Sequence, residues 1–235
     1  MRTAILALFL LPYLPVFGQM MNMEDPGDAR WEAQVYFDMA VPLGDLADNM
    51  STVGIGVGGE ALYHVQGPAW VGLGMQSYRF DNRKITYLEQ FDNENFEVDE
   101  LTASRSIAAQ VIARFQPELN SIFSPYIQGG IGWHWFYTNT KIKDIENDET
   151  IDQFSEYSDS DLGIAIQAGV QISPDAMQAL SIDLRVGYFQ NGQIEYMRYN
   201  PDIIVSQGAF PVESFEVVLS TVQFIGLQLG LAVRF

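Results

Sequence analysis

The stretch Ile225-Gly226-Leu227-Gln228-Leu229-Gly230-Leu231-Ala232-Val233-Arg234-Phe235 is apolar at every odd position and glycine, alanine, glutamine or arginine at every even one. Successive side chains of a strand point to opposite faces, so this stretch reads as a strand with one greasy face and one small or polar face. Phe224, just before it, is the exception on the small face. Weaker copies of the pattern recur over 32–41, 53–63, 71–76, 106–115, 127–137, 162–172 and 182–189. Gly, Pro, Asn, Asp and Ser separate them, as turn chemistry requires. No stretch has a competing helical period, and no apolar run after Gln19 reaches the roughly 18 residues of a spanning helix. The reading is all-β: an eight-stranded antiparallel up-and-down transmembrane β-barrel.

The connections give the barrel two unlike rims. Gln66-Gly67-Pro68, Gln116 to Pro125 and Ser173 to Gln178 are short; Asp81 to Glu100, Asn139 to Asp161 and Asn191 to Phe215 read as long loops. Leu43 to Ser51 is of middle length. With alternating strand direction, the long connections share one rim and both chain ends fall on the other.

Alternation alone fits a soluble barrel with an apolar lumen and a membrane barrel with an apolar exterior. The polar face separates them. An outer face in water would be rich in Lys, Glu, Thr and Asn, whereas this one is glycine, alanine, glutamine and a few ions of both signs. That suits the narrow, side-chain-filled interior of eight strands. The inward ions are Glu32, Asp38, Glu60 and Asp183 against Arg114, Arg185 and Arg234. Near balance is expected, because ions out of water must be paired to offset desolvation, and such a network would block free water flow. Trp133, Trp135, Tyr137 and Tyr188 toward the long-loop end, with Trp31, Phe115 and Phe235 toward the other, read as two interfacial aromatic girdles. About ten residues, at roughly 3.3 Å each and a tilt near 40°, cover the ~25 Å apolar band of such a barrel.

The chain's start reads as an export signal over residues 1–18: Arg2, the apolar run Ala4 to Leu11, and Val16-Phe17-Gly18 before a cut ahead of Gln19. A short periplasmic segment would occupy 19–28, and the barrel 29–235. The whole chain carries 12 Lys+Arg against 30 Asp+Glu, a formal charge of −18; losing Arg2 leaves 11 against 30, or −19. Nucleic acid is excluded as a partner, since phosphate binding needs a basic footprint. The chain has no cysteine, which removes disulfides, thiolate metal sites and cysteine nucleophiles.

Together, the export signal, the eight amphipathic strands and the terminal Leu229, Leu231, Val233 and Phe235 resemble the small outer-membrane β-barrel proteins of Gram-negative bacteria, the OmpA/OmpX-like "porin family" group. The resemblance implies an integral outer-membrane location after signal cleavage, with lipid around the barrel. It also implies that the last strand is the signal read by the barrel-assembly machinery. It transfers fold and location rather than activity.

Three constellations bear on function. A lipid-modifying enzyme would need a histidine base near a serine and an acid, but the only histidines, His64 and His134, have no serine beside them in sequence. Glycines 54, 56, 58 and 59 lie within a strand rather than in a turn opening a helix, so they speak for close packing rather than phosphate binding. Residues 81–100 hold seven acids and 139–161 hold eight. Asp144, Glu146, Asp148, Glu149 and Asp152 are candidate divalent-cation ligands, against the alternative of a solvated acidic surface. In the last long connection, Ile203, Ile204, Val205 and Phe210 are candidates for contact with a protein partner or for a lid over the barrel mouth. No cofactor is expected and no enzymatic activity. The expected role is structural or interactive, with acidic loops displayed outside the cell or the barrel serving as a subunit of an envelope complex. A narrow transport barrel for ions or small solutes is the alternative.

Overall fold

The computed structural model describes residues 30–50, 53–91, 94–117, 119, 122–144, 150–174, 179–199 and 215–235. Of residues 49, 81–91, 94–98, 100, 142–144, 151–157, 197–199 and 215–216 the backbone alone is described. The expected signal and the 19–28 segment lie outside these residues. Eight strands follow in order: β1 (Trp31–Leu43), β2 (Gly54–Gln66), β3 (Ala69–Phe91), β4 (Glu94–Phe115), β5 (Phe123–Asp144), β6 (Thr150–Ile172), β7 (Leu180–Tyr199) and β8 (Phe215–Arg234). Each pairs antiparallel with its sequence neighbour, and β1 pairs with β8 to close the barrel. The closing seam runs from Glu32↔Arg234 to Leu43↔Gln223.

Side-chain burial follows the period of two. Along β1, Glu32, Gln34, Tyr36, Asp38 and Ala40 are buried, whereas Val35, Phe37 and Met39 between them are exposed. Every strand repeats this inversion of a water-soluble fold: the exposed residues include Leu73, Val111, Ile131, Ile166, Leu184 and Leu229, while Gln76, Arg114, Gln128, Gln167, Arg185 and Gln228 are buried. Gly67 takes φ 52 in the two-residue turn between β2 and β3, the positive φ that primed hairpin turns demand at their first central residue.

The long connections are corrected by the structure. Most of Asp81 to Glu100, and parts of Asn139 to Asp161 and Asn191 to Phe215, are strand: β3 to β6 run 22 or 23 residues, and β7 and β8 run 20 each. Three hairpins therefore project past the apolar band. Their apolar/polar contrast fades because lipid is needed only beside the band, while backbone pairing continues without it. Register shifts at Phe80/Asn82, Thr138/Asn139 and Gln190/Gln193 sit where the contrast ends, and such bulges break the strict period that marks a strand in sequence. The β6–β7 ladder stops at Gly163↔Asn191. Beyond it, β6 continues only with β5, and β7 only with β8. The connection after β1 holds a five-residue helix, α1 (Asp45–Asn49), too short to leave a period.

Candidate functional site: the filled lumen

Toward the rim that carries the chain ends, the barrel holds a buried ion network. Arg114 on β4 donates from Nη1 to Glu32 at 2.6 Å, from Nη2 to Glu60 at 3.1 Å and Gln34 at 3.2 Å, and from Nε to Gln128 at 2.8 Å. Across the lumen, Arg185 on β7 donates to the other oxygen of Glu60 at 2.7 Å and lies 3.3 Å from Asp183. Nearer the rim, Arg234 donates to Glu32 at 2.7 Å and to Gln171 at 2.7 Å. The guanidiniums of Arg114, Arg185 and Arg234 also lie over the rings of Tyr126, Tyr36 and Trp70, where the ring quadrupole attracts a cation.

Parity alone sets these ions facing inward, and barrel closure brings strands far apart in sequence within bonding reach. Five of the ionic side chains, those of Glu32, Glu60, Arg114, Asp183 and Arg185, are almost fully buried, and Arg234 is the more open sixth. Three acids and three arginines thus form one network. Asp38, grouped with them on parity, stands apart: it accepts from Tyr78 and Gln228 and has no ion pair among the described residues. Gln128, Gln167 and Gln228 form a hydrogen-bonded chain across the barrel between the ions and Asp38.

Above Asp38 the lumen turns apolar, which the alternation did not reveal. Tyr78, Phe80, Phe136, Phe189, Tyr196 and Phe224 pack as a cluster with Ile194, Val222, Ala40 and the α1 residue Leu46. Phe189 and Phe224 stack at 4.8 Å and 12°; Tyr78 meets Phe224 edge-on at 4.9 Å. The signal was available in Phe189 and Phe224, large rings on a face otherwise small and polar. An internal void of about 10 Å³ borders Tyr36, Glu60, Gln76, Gln110 and Gln167, room for one water at most.

The remaining candidates fall in several places. Trp31, Phe115, Trp133 and Trp135 are exposed on the outer face, while Tyr137, Tyr188 and Phe235 are half-buried. Leu229, Leu231 and Val233 face outward on β8 opposite Phe37, Val35 and Ala33. His64 stacks on Trp70, with Nε2 2.6 Å from Gly67 O. His134 is buried, and its Nε2 has no hydrogen-bond partner among the described residues. Glu146, Asp148 and Glu149 lie outside the described residues, as do Ile203, Ile204, Val205 and Phe210; of Asp144 and Asp152 only the backbone is described.

The chain is similar in fold to several small barrels. Neisserial surface protein A shares 13% identity with a TM-score of 0.47, covering 87% of this chain and 97% of that one. OprG from Pseudomonas aeruginosa shares 12% with a TM-score of 0.46, covering 88% and 96%. A major outer membrane protein from Thermus thermophilus shares 16% with a TM-score of 0.43, covering 87% and 99%. No curated protein matches the chain. The family model described as outer membrane protein beta-barrel domain matches residues 23–235. With nearly the whole chain matched and an apolar exterior around a polar and aromatic lumen, this protein belongs to the outer membrane protein beta-barrel domain family.

Proposed function

We propose that the protein is a closed outer-membrane barrel with a structural or interaction role, carrying its three long hairpins beyond the bilayer or serving as a subunit of an envelope complex. The observation that carries this reading is the two-level filling of the lumen. Steady transport of ions or polar solutes needs a continuous wet path. Here the ion network is followed by rings and aliphatic side chains, with Leu46 of α1 among them. The projecting hairpins, with 15 acids over 81–100 and 139–161 alone, supply a large polar surface for contact outside the membrane.

Reconstitution in planar bilayers tests the closed state. The expected record has no steady unit conductance at moderate voltage; long-lived open levels from the wild-type chain would overturn the reading in favour of a transport barrel. Native purification with and without the hairpin tips tests the interaction role, through the loss of specific co-migrating envelope proteins.

A further inference from the structure

Three buried polar atoms without a partner gather where β6 and β7 part. His134 on β5 is 1% exposed and Asn191 on β7 is 2% exposed, yet His134 Nε2 and both polar atoms of the Asn191 amide have no hydrogen-bond partner among the described residues. They meet over Gly163 of β6: a Cβ there would come within 2.8 Å of both Asn191 Oδ1 and His134 Nε2. Asp161 stands two residues along β6 from that glycine, on the same face, and directly opposite His134 in register. Its Oδ1 accepts from Leu162 N at 2.7 Å, which orients the carboxylate, and its Oδ2 lies against the place a Cβ on Gly192 would take. Asp161 has no ion pair among the described residues. Two glycines thus keep open the space that polar side chains from three successive strands share. Leaving buried polar atoms unpaired is costly, so a cluster of them calls for an occupant.

We propose that His134 Nε2, Asn191 Oδ1 and Asp161 Oδ2 bind a divalent transition-metal ion of the zinc type in the notch where the β6–β7 ladder ends. Imidazole suits zinc, copper and nickel, whereas calcium and magnesium take shells of oxygen. The ion accepts the lone pairs of Nε2 and Oδ1 and supplies the counter-charge that Asp161 lacks. A water in the same place would bond the imidazole and the amide but leave that carboxylate without a counter-ion, so charge favours the ion. The site has a way in, since past Gly163↔Asn191 the two strands no longer pair. It is also held in place: Asp159 spans the split, accepting from Glu195 N at 2.9 Å. Phe136 and Phe189, each two residues from a proposed ligand, are fixed in the apolar layer. No group of three or more His, Cys, Asp or Glu side chains among the described residues is placed to hold a metal; here an amide oxygen is the third donor. Asp161 is only partly buried, which leaves water to complete the shell, as in open rather than structural zinc sites.

The test uses the folded barrel in detergent micelles, stripped of metal with EDTA and titrated with zinc chloride by calorimetry in excess calcium, which occupies carboxylate-only sites on the acidic hairpins. Wild type is expected to bind a single zinc ion per chain. His134→Gln and Asp161→Asn should each weaken binding about tenfold or more, and His64→Gln should leave it unchanged. No zinc bound by wild type, full affinity in His134→Gln, or zinc lost to calcium competition overturns the proposal. Heat-modifiable migration checks that each variant folds. A second measurement needs no lumen variant, because the chain has only two histidines. In wild type carrying ¹³C-labelled histidine, zinc should shift the His134 ring resonance and leave that of His64, assigned with His64→Gln, in place. An unmoved His134 resonance overturns the site even where the lumen variants fail to fold.

Discussion

Trp31 and Phe235 exchange both backbone hydrogen bonds, each N donating to the other's O at 2.9 Å. They form the last rung of the seam that closes the barrel, next to the Glu32–Arg234 ion pair. Deleting Phe235 removes the rung and the ring, whereas Phe235→Ala keeps the rung. If the terminal aromatic is an assembly signal, both variants lower the heat-modifiable band in the membrane fraction several-fold. Normal assembly of Phe235→Ala, with failure only on deletion, would reduce the residue's role to closing the seam.

Leu73 is 65% exposed at a position that lipid should cover. Leu73→Arg is expected to cost about 2–4 kcal/mol if it lies near the bilayer midplane, against about 0–1 kcal/mol for Thr221→Arg near the band's edge. Denaturant unfolding from lipid vesicles measures both. Equal and negligible costs would mean that the greasy face is not in hydrocarbon.

Glu60 is shared by Arg114 and Arg185, one oxygen to each. Glu60→Ala leaves two buried guanidiniums short of a counter-ion, and breaking such a pair from one side costs about 3–5 kcal/mol. Adding Arg185→Met removes one stranded charge, so the double variant should lose less than the sum of the single ones, with a coupling of about 0.5–3 kcal/mol. Strict additivity in unfolding experiments would show that the network does not act as a unit.

Gly72 faces the lumen where β2 passes close by, and a Cβ there would meet the Ala61 carbonyl and the Leu62 backbone. A backbone obstacle cannot rotate aside, so Gly72→Ala should sharply reduce the yield of folded barrel. Gly129 faces outward, and a Cβ there would come no nearer than 3.8 Å to the Ala165 carbonyl. Gly129→Ala should fold normally in the same refolding assay, and similar yields for the two variants would contradict the register at β2–β3.

Phe224 contacts Tyr78, Phe80 and Phe189 within the apolar layer. Phe224→Ala should cost about 3–5 kcal/mol, and Phe189→Ala/Phe224→Ala should thin the layer enough for brief conductance steps in planar bilayers where wild type shows none. A silent double variant would place the barrier elsewhere, in the ion network or under α1.

Much of this barrel could be read from a single row of letters. The alternation from Ile225 to Phe235 yields a strand whose faces meet different solvents, and its recurrence yields the strand number. The strand ends were harder to read. Ser104, Thr102 and Thr140 are buried in stretches past the band that look like polar loop, and the shift at Phe80/Asn82 erases the period at that level. The aromatic layer escaped for a related reason: alternation marks a side chain as inward but does not tell which inward neighbours it meets around the barrel.

Inside and outside were thus written in the order of residues, because side chains flip faces at every step and lipid tolerates few charges. Which ions share a partner, and that Asp38 leaves the arginines for Tyr78 and Gln228, came only with closure. Tyr78 lies 40 positions from Asp38 along the chain, and Gln228 lies 190. Such partnerships depend on bulges and registers, and both are set by how eight strands shear into a cylinder.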